Sequence, residues 1–256
     1  YFKTNHEDAC ASWGTCPETL HAMGVALPSC RKRMLGGDPV SDWDDVALTR
    51  VLRCAGRTVP QCRDDRIVAV NACLKEAKGY SQAVLEQNWR KAKATAQQHK
   101  LPLRLIILDV DGVLNCENDH CFSAHHLDTS AMRLVHELME ELGQVFIVLS
   151  TTWRLDDVLK MTLMRSMARV GILESKVVGQ TPNKNMHKRV VEIKAWLRQH
   201  TCPPKVEEWV ALDDMDLLAE DPLFMAGHFV HVNPEHGLQR HHVDEARRLL
   251  RHESLQ

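Results

Sequence analysis

The chain lacks a strong charge of either sign. Lys and Arg total 32 against 34 Asp and Glu, a formal net charge of −2 over 256 residues, so no global field draws it to nucleic acid or to an anionic membrane. It also has no basic stripe with interleaved aromatics, and Phe, Trp and Tyr make up only 5% of it. That argues against a strong nucleic-acid end-binding module. No apolar run is long enough to span a bilayer. None of the nine cysteines forms a CxxC pair, which weakens a zinc-ribbon reading. Tyr1-Phe2-Lys3 offers neither an initiator Met nor a signal-like apolar stretch. The end therefore reads as processed or trimmed, and the chain as a soluble cytoplasmic or organellar protein.

What is present is ordinary globular composition, 44% apolar and 26% charged, in a length that suits one large domain or two small ones. Six cysteines (Cys10, Cys16, Cys30, Cys54, Cys62 and Cys73) crowd the first third. They permit disulfides in an oxidising compartment and equally permit free core thiols. Pro17 can open a short helix through Met23, and Gly36-Gly37-Asp38-Pro39 is a break. Ser41 or Asp42 then caps a helix over about 43–54, a second follows over 62–77, and a third over 81–99 carries Val84, Leu85 and Trp89 on one side. Cys62 and Cys73 lie about three helical turns apart and would share a face. Residues 1–100 thus read as a small Cys-containing helical domain without catalytic features, suited to docking a protein partner or covering the domain that follows.

The stretch Leu103–Asn115 organises the remainder. Its branched apolar run has no polar alternation after Arg104, as in a strand buried on both faces. It stops at Asp109 and Asp111, just past the strand's carboxyl end, and Gly112 lets the chain turn. Open α/β sheets place their chemistry at such ends. Two neighbouring carboxylates raise each other's pKa unless a cation neutralises them, and a hard divalent ion with oxygen ligands does so. A strand over Val145–Leu149 ends at Ser150-Thr151-Thr152-Trp153-Arg154, and one over Trp209–Leu212 ends at Asp213-Asp214. Lys188-Arg189 opens a helix. Strands alternating with helices predict a mostly parallel, Rossmann-like sheet with flanking helices over 101–256.

Asp109-x-Asp111-Gly112-Val113, Ser150, Lys188 and Asp213-Asp214 resemble the four motifs of the haloacid dehalogenase (HAD) superfamily of phosphohydrolases. The pieces LDVDGVLN, VLSTTWR, VVGQTP, KRVVEIKAWL, WVALDD and HFVHVNPEHGL are similar to the HAD domain of Swiss Army Knife RNA-repair proteins. The resemblance implies Asp109 as nucleophile, through an aspartyl-phosphate, and Asp111 as general acid and base. It implies Mg2+ held by Asp109, the Asp111 backbone carbonyl, Asp213 and Asp214, with Ser150 and Lys188 contacting the phosphoryl group. Arg189 competes with Lys188 for the cation's role. Arg154 reads either as a phosphate contact or as a buried strut to a carboxylate, with Trp153 as core.

The intervals between the motifs leave no room for a large cap domain. An open site suits the exposed phosphate of a macromolecule, an RNA end or a phosphoprotein. The loop over 116–126 holds two Cys and three His, zinc-type ligands in a spacing that matches no standard zinc pattern. The rival reading is an accessory subunit of a larger complex, built on a HAD-like domain with little or no activity.

Overall fold

The structure is a computed structural model that describes residues 39–116, 127–184, 188–200 and 208–251. The described residues from Val40 onward belong to one compact unit. In chain order they form helices α1 (Asp45–Cys54), α2 (Arg63–Ala77) and α3 (Gln82–His99), then strand β1 (Arg104–Leu108). Helix α4 (Thr129–Leu142), strand β2 (Val145–Leu149), helix α5 (Asp157–Arg169), strand β3 (Val177–Gln180) and helix α6 (Arg189–His200) follow. The unit ends with strand β4 (Glu208–Asp213), short helices α7 (Leu217–Glu220) and α8 (Pro222–Met225), strand β5 (Phe229–His231) and helix α9 (Arg240–Leu250). No helix among the described residues is long and apolar enough to cross a membrane.

The five strands form one all-parallel sheet in the order β3-β2-β1-β4-β5. The chain leaves β1 toward β2 on one side and returns to β4 on the other, so β1 marks the point where the winding reverses. A crevice forms there outside the carboxyl ends of the strands. Register brings those ends level: Leu108 pairs with Leu149 on one side and Leu212 on the other. The residues that follow, Asp109, Ser150 and Asp213, therefore emerge side by side.

Alternation along the strands gives the sheet two apolar faces. Ile106, Leu108, Ile147, Leu149, Val210 and Leu212 pack beneath α4, α5 and α9. Leu105, Ile107, Phe146, Val148, Trp209 and Ala211 pack against α3 and α6. Gly179 in β3 lies where Trp196 of α6 comes closest, and an added Cβ would sit 2.6 Å from the indole nitrogen. Only glycine admits that ring.

The helices expected to form part of a separate domain ending at residue 100 instead join this unit. Trp89, Ala92 and Ala96 of α3 complete one apolar face and Leu85 joins the other. The Asn88 amide of α3 donates to the carbonyls of Val177 and Glu174, both at 3.1 Å. Helices α1 and α2 pack on each other and on α5, where the Thr162 hydroxyl donates to the Cys54 carbonyl at 2.6 Å. Lys100-Leu101-Pro102 is a corner, with Lys100 left-handed at φ 51°, rather than a linker. An apolar stripe shows that a helix packs, not what it packs on.

Two local expectations shift. Asp44, whose side chain accepts from the Ala47 amide at 2.7 Å, caps α1 in place of Ser41 or Asp42. Cys62 stands outside α2 as its exposed N-cap while Cys73 is buried, so the two do not share a buried face. Cys62, Cys73 and Cys116 are free thiols. Cys10, Cys16, Cys30, Cys121, Cys202, the helix expected over 17–23 and the histidines of the 116–126 loop lie outside the described residues.

Candidate active site

The crevice is built around Asp109, whose backbone still belongs to the sheet: its amide donates to the Leu212 carbonyl at 3.0 Å. Asp109 and Asp213 are almost wholly buried, at 3% and 1% exposure. One Asp109 oxygen accepts from the Val110 amide at 2.7 Å and the other from Arg189 at 2.9 Å. Arg189 also approaches Asp213 at 3.5 Å and the Ser150 hydroxyl at 3.5 Å. The second Asp213 oxygen accepts from the Met215 amide at 3.0 Å. Ser150, buried, has its hydroxyl within 3.4 Å of the Thr181 hydroxyl.

Asp109, Asp213 and Asp214 each offer a carboxylate oxygen, and these lie within 4.8 Å of one another. Gly112 makes the approach to Asp214 feasible. Its φ is +73°, and an added Cβ would fall 2.7 Å from the Asp214 carboxylate. Burial pushes Asp109 up to about 6, assisted by Asp111 and Asp214 and opposed by Arg189 and the Val110 amide. Burial also lifts Asp213 well above the usual carboxylate range, with Asp109 adding to the rise. Burial alone would lower Arg189, but Asp109, Asp213, Glu192 and Asp214 together raise it. The site therefore has an excess of crowded carboxylate charge, and its donors are hard oxygens. That set fits a magnesium-sized divalent ion.

The Asp111 carboxylate turns away from this cluster. Its oxygens accept from Trp153 Nε1 at 3.0 and 3.1 Å, from Asn115 Nδ2 at 3.0 Å and from the Thr152 hydroxyl at 3.4 Å. It thus stands beside Asp109 without joining the three clustered carboxylates.

The structure separates the two cations that the sequence left side by side. Lys188 is exposed just before α6, whereas Arg189 begins the helix and enters the crevice with its side chain 11% exposed. The expectation for Lys188 is thereby corrected: Arg189 is the cation against Asp109. Of the two readings open for Arg154, the geometry is that of the strut. Buried at 4% exposure, it directs its guanidinium to Glu192 at 2.5 Å, the Thr181 carbonyl at 2.8 Å and the Thr151 carbonyl. With its donors turned inward it is a strut, not a phosphate contact.

Two contributors carried little sequence signal. Glu192 lies 38 residues from Arg154 and reads as an ordinary polar position of α6; its other oxygen accepts from the Lys184 amide at 3.1 Å. Asn115, three residues after Gly112, accepts from the Gly112 amide at 2.9 Å and so fixes the turn as well as Asp111. Its place in the Asp-Gly turn was the available hint.

A parallel sheet with an acidic crevice at its carboxyl edge, and no large cap among the described residues, is the architecture of a haloacid dehalogenase-superfamily domain. Residues 105–243, more than half of the chain, match the family model described as the HAD domain in Swiss Army Knife RNA repair proteins, and the chain belongs to that family. No curated protein matches the chain and no solved structure does.

Proposed function

We propose that the protein is a magnesium-dependent phosphohydrolase that removes an exposed phosphate from a macromolecule, with a nucleic-acid end as the favoured substrate class. The observation that carries the reading is the buried Asp109 carboxylate, held between the Val110 amide and Arg189 beside Asp213 and Asp214. The family, one of RNA-repair domains, supports the substrate class.

In this reading Asp109 attacks phosphorus and forms an aspartyl-phosphate. Asp111 protonates the leaving oxygen and then takes a proton from the attacking water. Ser150 donates to a phosphoryl oxygen, and Arg189 turns its charge from Asp109 toward the phosphoryl group as the nucleophile is consumed. Lys188, at the exposed start of α6, supplies positive charge at the mouth. Asp109, the Asp111 backbone carbonyl, Asp213 and Asp214 would hold the metal. Magnesium, when bound, supplies the charge that offsets the crowded carboxylates and polarises the phosphoryl oxygens.

The test is hydrolysis of an aryl phosphate with and without magnesium by the native protein and by Asp109→Asn. Magnesium-dependent turnover that vanishes in the variant supports the proposal; turnover that survives Asp109→Asn overturns it. The accessory-subunit reading draws on Val46 and Val68, large apolar side chains left 78% and 68% exposed on α1 and α2. Native protein eluting wholly within a large complex, with neither turnover nor magnesium binding, would favour it instead.

A further inference from the structure

Asp111 sits in a cradle that the proposed chemistry does not itself require. Its strongest holder is Trp153, a residue only 2% exposed and anchored in the core beneath α4 and α5. The indole N–H bisects the carboxylate, 3.0 Å from Oδ1 and 3.1 Å from Oδ2. Asn115 adds its amide to Oδ1 at 3.0 Å while its own carbonyl oxygen accepts from the Gly112 amide at 2.9 Å. Thr152 reaches Oδ2 at 3.4 Å.

The chemistry of the holder matters. An indole N–H can donate but never accept. It fixes the carboxylate's position and cannot take its proton. Asn115 likewise turns its N–H to Asp111, while its oxygen faces the Gly112 amide. A proton carried by Asp111 therefore finds no acceptor in the indole or the amide N–H, and apart from the long contact to the Thr152 hydroxyl at 3.4 Å it faces the crevice, where a leaving group would stand. The N–H of this core tryptophan ends on the carboxylate beside the candidate nucleophile.

From this geometry we propose that Trp153 is a positioning residue that holds Asp111 so that its proton is delivered to the leaving oxygen. The inference rests on the phosphohydrolase reading. In the step concerned, an Asp109 oxygen forms a bond to phosphorus, the bond from phosphorus to the leaving oxygen breaks, and the Asp111 proton passes to that oxygen. In the second step water attacks phosphorus, gives a proton back to Asp111, and the aspartyl oxygen leaves as carboxylate. A ribose oxygen is a poor leaving group and needs that proton, whereas para-nitrophenolate leaves without it.

The experiment exploits that contrast. Native protein, Trp153→Phe, and a protein with Trp153 replaced by benzothienylalanine are compared in kcat/KM. Benzothienylalanine has nearly the same shape with sulfur in place of the N–H, so it tests the donor even if the phenylalanine variant fails to fold. The substrates are para-nitrophenyl phosphate and an oligoribonucleotide phosphorylated at both ends. kcat/KM is read because it reports the step in which the leaving group departs. Loss of the N–H is expected to lower kcat/KM on the oligoribonucleotide by about 10- to 100-fold, a part of what general acid catalysis supplies, and on para-nitrophenyl phosphate by less than about 3-fold. Equal losses on both substrates, as from a merely structural role, or no loss on either, overturn the inference and leave the phosphohydrolase reading standing. A native protein that hydrolyses neither substrate overturns both.

Discussion

Two inward-facing arginines, one buried and one nearly so, serve opposite ends. Arg154 meets one carboxylate, Glu192, and two carbonyls that complete its hydrogen bonding. Arg189 faces Asp109 and Asp213, with Asp214 close by. The first neighbourhood is balanced in charge and closed; it ties the end of β2, the end of β3 and the first turn of α6 into one frame. The second is crowded with more negative charge than Arg189 offsets, and its carboxylates are pushed up chiefly by burial, with the neighbouring carboxylates adding to the rise. Balanced burial is the signature of a support, and unbalanced burial of a site awaiting a partner. Residue type and depth do not separate the two; the neighbours do.

Substitutions should break this contrast in different currencies. The largest effect is expected from Asp109→Asn, which should lower kcat by about 10⁴-fold or more while leaving the melting temperature nearly unchanged. Next comes Glu192→Gln, which strands the buried Arg154 charge. It should cost about 3–5 kcal/mol in urea unfolding, and the paired change Arg154→Met with Glu192→Leu should recover much of that loss. Third, Arg189→Lys should lower kcat by about 10- to 100-fold because one ammonium cannot span Asp109, Asp213 and Ser150, whereas Lys188→Ala should change it only a few-fold. Equal losses at 188 and 189 in a steady-state assay would erase the distinction between them.

The smallest effect concerns pH in the absence of metal. Burial lifts Asp109 in the folded state to about 6, from an ordinary carboxylate value of 3.8. Between those values the folded state binds more protons than the unfolded one. The contribution of this group to stability is therefore complete below about 4 and is lost as pH rises through about 6. Melting of metal-free native protein relative to Asp109→Asn should show the native protein gaining on the variant as pH falls from neutrality toward 4. Magnesium added at neutral pH should raise the melting temperature of the native protein more than that of the variant.

The strands, their parallel arrangement and the convergence of Asp109, Ser150 and Asp213 were legible in the sequence, because buried strand runs and their polar ends have short local signatures. The choice between Lys188 and Arg189 was not. Which of two adjacent side chains enters a crevice depends on helical phase to within one residue, and the pattern fixes phase less closely. The fate of Arg154 was equally hidden, since its partner Glu192 lies on another element. The place of α3 was missed because its apolar stripe suits any apolar neighbour, and its actual neighbour in β3, Val177, comes 89 residues after Asn88.

That last feature bears on how the protein can be handled as a molecule in solution. Strand β3 is the outer strand on its side of the sheet, and α3, which covers it, lies wholly before the family match that starts at residue 105. A fragment begun at residue 101 would keep every candidate site residue, yet its open rim would be a template for strand addition between molecules. Such a fragment should elute in sedimenting or void-volume species where the longer chain does not. The helix would thus act as a chain terminator for the sheet, setting the number of its strands.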